Sequence, residues 1–224
     1  MVSYPVMHQA DQTDRLAVLP GFGPGVQLMS DEGEIPVEWL STGDMLITRD
    51  NGLQPVLWIG RARVKQTRMA RNPQIRPMEL EPGALGAGVP THPTTLAPAA
   101  RVLLEGASVE LHYGQDEVLA EIGDLQDGDQ ITAPVRFAAT HYTFVLLPMH
   151  DMVQANGLWA ETLLLDDRVR SALNSDLPQR LANDPALRAS HQMAARMCLS
   201  AEDVRAIRGK PSETGLADMI THAA

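Results

Sequence analysis

Short apolar runs broken by turn residues govern what this chain can fold into. From Val26 onward, "VQLM", "DMLIT" and "LQPVLWIG" alternate with "SDEGE" and "RDNG", and the runs are too short for ordinary helices. Asn51-Gly52 stands between two of them, and both residue types tolerate the positive φ of a tight hairpin. Residues 77–98 hold five prolines and three glycines, a density that predicts a long ordered loop with no regular element. Beyond it, "ARVLLEG", "SVELHYG", "EVLAEIG", "DQITAPV" and "HYTFVLL" read as further short strands. Many short strands with Gly and Asp turns predict a compact, mostly antiparallel β body.

The chain changes character after about Thr162. "LLLDDRVRSAL" has helical spacing, and Pro178 and Pro185 divide the remaining helical stretch into pieces. In "SAEDVRAIRGKP", Ser200 is placed as an N-cap, acids fill the first turn, Gly209 stands near the end and Pro211 beyond it. Three segments result: residues 1–20 as an N-terminal extension with little periodicity, 21–162 as the β domain, and 163–224 as a helical extension. Leu, Val and Met faces of that extension are expected to pack on the β body.

Hydrophobic residues make up 44% of the 224, enough to fill a sizeable core. The formal charge of −10 argues against nucleic acid as a partner, because phosphate binding needs clustered Lys and Arg. Residues 163–224 carry eight acids and eight bases, so the acidic excess lies before them. Against that background Arg61, Arg63, Lys65, Arg68, Arg71 and Arg76 occur in residues 61–76 without one acid. The segment reads either as a solvated face or as the dock of an anionic protein partner.

Cys198 is the single cysteine, which rules out an internal disulfide and a multi-cysteine metal site. Within a helical tail it reads as a buried, inert thiol. The histidines are scattered without metal-ligand spacing, and "GFGPG", interrupted by proline, is no phosphate loop, so neither metal nor cofactor is expected. No run approaches the roughly 18 apolar residues of a membrane span. The N-terminus lacks the basic start and apolar stretch of a signal peptide, so the expectation is a soluble protein, cytoplasmic by default.

Several blocks carry a family resemblance. "GFGPGVQLMSDEGEIPVEWLSTGDMLITRDNGLQPVLWIGRARV" resembles the opening of Hint domains, the fold of hedgehog C-terminal domains and inteins, and in particular a bacterial subset. "GALGAGVP" and "RVLL" resemble the middle of that subset, "MHDMVQANGLWAET" its last block, and "ARMCLSAEDVRAIR" its helical tail, all in order across about residues 21–208. The resemblance implies a horseshoe-like β fold and self-processing chemistry. In that chemistry a cysteine at the first position attacks the preceding carbonyl and turns an amide into a thioester.

The reaction-bearing positions depart from the family pattern. The nucleophile's place holds Gly21, which has no side chain. Where relatives have a small hydroxyl residue and, three positions on, the histidine that protonates the departing amine, this chain has Ala97 and Ala100. His150 matches the family histidine before the Asn-Gly turn, but Glu161 and Thr162 stand where an asparagine would cyclise. His150 and His92 are the residual catalytic candidates; Asn156 is read as a turn residue. Two functions remain in view: a catalytically inactive Hint-like binding or assembly module, and an unorthodox autoprocessing domain that cleaves the bond before Gly21. The sites expected for a partner are Arg61, Arg63, Lys65, Arg68 and Arg71.

Overall fold

The computed structural model describes residues 15–135 and 138–208, apart from the side chains of residues 175 and 208. Two hairpins open the β body. β1 (Gln27–Ser30) pairs with β2 (Gly33–Pro36), and β3 (Met45–Thr48) pairs with β4 (Gly52–Pro55) around the Asn51-Gly52 turn. Gly52 has a φ of 64° there, a conformation that costs glycine nothing sterically. The turn is held from far along the chain: the wholly buried Asp151 carboxylate accepts the Asn51 backbone N–H at 3.0 Å and its side-chain amide at 2.7 Å.

A second Asn-Gly turn joins β12 (Met152–Ala155) to β13 (Leu158–Glu161). Asn156 and Gly157 have φ values of 48° and 85°, the positive pair whose twist matches the flanking strands. Asn156 also crosslinks: its Oδ1 accepts from Gln27 N at 2.9 Å, and its Nδ2 donates to Thr94 Oγ1 at 2.8 Å. β8 (Arg101–Glu105), β9 (Glu117–Glu121) and β14 (Met197–Cys198) extend these hairpins into one sheet, ordered β14–β9–β8–β13–β12–β1–β3–β4 with β2 on β1.

A two-stranded ribbon of β5 (Trp58–Val64) and β11 (Thr140–Leu146) separates two cores, and a short helix, α1 (Gln66–Arg71), follows β5. Period-two alternation decides which side chain goes where. Ile59 and Val145 join the first core with Leu28, Val102 and Val153. Trp58, Ala62, Val64, Tyr142, Phe144 and Leu146 join the second. Gly60 is required between them: a Cβ there would lie 2.4 Å from the Trp58 ring.

Two segments differ from their sequence reading. "SVELHYG" is a helix, α2 (Ala107–Tyr113), because Val109 and Tyr113 share a helical face: Val109 enters the core and Tyr113 Oη donates to Asp203 O at 3.1 Å. Gly114, left-handed, caps its end. The Pro-rich segment carries two three-residue strands, β6 (Met78–Leu80) and β7 (Thr94–Leu96), paired with each other, and β10 (Ile131–Thr132) adds to β6. Pro77, Pro82, Pro93 and Pro98 flank the two strands and leave their ladders uninterrupted.

The second core is closed by the C-terminal extension. α3 (Asp167–Leu173), N-capped by Asp166 on Val169 N at 2.7 Å, contributes Val169, Ala172 and Leu173. α4 (Gln179–Ala182) comes after Pro178, and α5 (Pro185–Ser190) begins on Pro185 and adds Leu187. The extension is not wholly helical, since β14 adds to β9 in parallel before α6 (Ala201–Arg208). Ser200 caps α6 as expected, in a reciprocal pair with Asp203; Gly209 and Pro211 lie outside the described residues. Arg196 ties the extension to the β body through Asp50 and Glu117, each at 2.7 Å. Among the described residues no helix is long and apolar enough to cross a membrane.

His191 fastens the extension to the ribbon's end. Its Nδ1 accepts from Leu165 N at 3.3 Å and its Nε2 donates to Leu147 O at 3.1 Å, so both nitrogens are used by the neutral ring. Burial, chiefly, pushes its pKa from 6.5 down to about 4. The unfolded chain therefore binds this proton more readily, and the stability is complete above about pH 6.5 and is lost as pH falls toward 4, by roughly 3 kcal/mol. Urea midpoints are expected to drop between pH 7 and pH 4.5, and His191→Gln to flatten that part of the profile.

Candidate active-site junction

The residues around the Pro20–Gly21 bond are strung between β7 and β11. Phe22 exchanges two backbone hydrogen bonds with Thr143, both 2.9 Å. On the other side Ala97 N–H donates to Gly21 O and Gly23 N–H to Thr95 O, both 2.8 Å. Pro20 and Gly21 are buried. The place of glycine here is set by volume, since a Cβ on residue 21 would lie 2.8 Å from Phe144 Cε1 and 3.1 Å from Tyr142 Cβ. Phe144 is fully buried and cannot swing into solvent. The room a nucleophile's side chain would need is occupied by an aromatic ring.

Ala97 and Ala100 are buried in different cores. Ala97 packs in the second, Ala100 in the first, and Ala100 N–H donates to Ala97 O at 2.9 Å. Neither side chain carries a proton to give. His92 is exposed, with Nδ1 3.0 Å from the hydroxyl of Thr91.

His150 belongs to a buried ionic chain that its sequence pattern does not reveal. Its Nε2 lies 2.6 Å from Glu161 Oε1, and Glu161 Oε2 lies 2.5 Å from Arg101 Nε. Glu161 thereby bridges the His150 ring and the Arg101 guanidinium, whose charge is permanent. Arg101 Nη1 reaches Cys198 Sγ at 2.7 Å. Burial alone would lower the Arg101 pKa, but Glu161 and Cys198 outweigh it and raise the value. Thr162 is structural, donating its hydroxyl to Asp151 O at 2.9 Å.

Cys198 is exposed, contrary to its reading as a buried thiol, because β14 is an edge strand. It lines a cavity of about 190 Å³ with Pro20, Ala99, Arg101, Glu121 and Arg168. The protein packed around the thiol raises its pKa, and the Arg101 cation offsets this only in part. A thiol held protonated is a weak nucleophile.

Residues 20–167 match the sequence profile of the Hint domain. The chain belongs to the Hint family. Its β-rich architecture is the Hint fold. Solved structures similar to it include the bacterial intein-like domain from Clostridium thermocellum, at 11% identity and a TM-score of 0.44, spanning 64% of this chain and 98% of that one. The MchDnaB-1 intein aligns at 12% identity and a TM-score of 0.40, over 63% and 99%. No curated protein matches the sequence.

In this Hint domain the basic segment is divided by the fold. The Arg61 guanidinium donates to the carbonyls of Glu38 and Leu40 at 3.2 and 2.9 Å, which fixes that turn. Arg76 donates to Met69 O at 3.0 Å, and Arg68 is half-buried. Arg63, Lys65 and Arg71 are exposed, and Arg63 stands opposite the exposed His141 across the ribbon. Among the described residues no cluster of His, Cys, Asp and Glu has the arrangement of a metal site. Arg101, adjacent to Ala100 in sequence, is the one local hint of the ionic chain.

The steric limit at residue 21 is measurable. Gly21→Ala should cost about 1–3 kcal/mol from overpacking, and Phe144→Leu in the same chain should recover part of that. A double-mutant cycle from urea denaturation would show the coupling; additive effects would mean that Phe144 does not set the identity of residue 21.

Proposed function

We propose that this Hint domain no longer performs the acyl shift and serves as a binding or assembly module. The observation that carries this reading is the Phe144 ring in the space of a side chain at Gly21. The alanines at 97 and 100 support it, because without a proton donor the amine of residue 21 is a poor leaving group. So does His150, whose Nε2 is committed to Glu161. The exposed cations Arg63, Lys65 and Arg71, carried by β5, the residue after it and α1, suit an acidic protein surface.

One observation favours a second reading, cleavage before Gly21: Pro20 and the Cys198 thiol line the same cavity. The raised thiol pKa and the missing acid weigh against it. Intact mass spectrometry of the purified full-length chain separates the two. At neutral pH, with and without dithiothreitol, wild type and Cys198→Ser should both keep their full-length mass over days. A fragment beginning at Gly21 in wild type would overturn the proposal, and its loss in Cys198→Ser would identify the thiol as the nucleophile.

A further inference from the structure

The residues just upstream of the junction do not lie on the surface as a departing segment would. Leu16 and Leu19 are 2% and 0% exposed, and both sit in the second core with Trp58, Phe144, Leu163, Val169 and Leu173. They project from one short turn, where Leu19 N–H donates to Leu16 O at 3.3 Å and Val18 N–H to Arg15 O at 3.4 Å. These amide hydrogen bonds stay within the segment, and among the described residues its hold on the rest of the protein is through side chains. One wall of the enclosing surface is the ribbon, and the other is α3 to α5.

That surface has a frame of its own. Arg170 donates to Leu165 O at 2.6 Å and to Ala182 O at 3.1 Å, joining the start of α3 to the end of α4. His191 joins Leu165 to Leu147. Neither set of bonds involves residues 15–20. Arg170 therefore fixes the helices to one another and His191 fixes them to the end of the ribbon, while the leucines fill the space between.

We infer that the C-terminal extension and the ribbon form a receptor for a short Leu-x-x-Leu peptide, occupied here by the chain's own Leu16–Leu19 and holding it independently of the Pro20–Gly21 bond. This goes beyond the loss of chemistry proposed above and does not require it. A cut at the junction would leave the upstream piece in place, so the module connects the upstream segment to the β body and does not release it. The ligand class is an apolar peptide with two leucines three apart and a proline just after the second.

The test uses the full-length chain with its own segment disabled, as Leu16→Ser/Leu19→Ser, and a fluorescent peptide spanning residues 13–22, read by anisotropy. Saturable binding to the variant, at least about tenfold tighter than to wild type, is expected, as loss of a leucine-sized contact gives this factor or more. Hydrogen exchange should show residues 163–190 loosened in the variant and protected again when peptide is added, with β8, β9, β12 and β13 unchanged throughout. Equal binding to both proteins, or no binding and no recovered protection, would overturn the receptor. Where the double serine chain does not fold, Leu16→Ala/Leu19→Ala takes its place under the same criteria. Cleavage in the mass experiment together with peptide binding here would sink the inactive reading and leave the receptor standing.

Discussion

The contact between Phe144 and the backbone of Gly21 orders much of the structure around it. Phe144 points away from the first core because β11 alternates, and it reaches the second core where Pro20–Gly21 passes beneath. One ring thereby helps to close the second core and fills the space that a side chain at residue 21 would need. A side chain at residue 21 could enter only by displacing a group that dozens of dispersion contacts hold.

The ribbon that carries Phe144 explains why the extension and the junction are one structure. β5 and β11 cannot bury both faces against a single sheet, and the face bearing Trp58, Tyr142 and Leu146 is covered by residues 163–190 together with Leu16, Leu19, Met69 and Ile75. The extension is therefore part of the packing that makes the ribbon stable. Its polar seams at His191, Arg170 and Arg196 give it register, while the hydrophobic area supplies the stabilising free energy.

Burial of charge follows a different logic at His150, Glu161 and Arg101. An isolated carboxylate at 1% exposure would be strongly unfavourable, and its pairing with a guanidinium and an imidazole makes the burial tolerable. The arrangement fixes the His150 ring against Glu161. Asp151 next to it accepts amide donors from the β3–β4 turn, so the two neighbours stabilise opposite ends of the large sheet.

The sequence by itself determined the β class, both Asn-Gly hairpins, the cap at Ser200, the family and the absence of reactive side chains at 21, 97 and 100. These are local matters: φ preferences, side-chain identity and short-range hydrogen bonds are written into neighbouring residues. Only the tertiary structure decided that "SVELHY" is helical, that Cys198 is exposed, that Arg61 is a turn clamp, and that Leu16 and Leu19 are core residues. It also paired Arg101 with Glu161 across β8 and β13. Each of these depends on which distant surface the chain meets, and a pattern of two leucines or one arginine is silent about that until the ribbon places its faces.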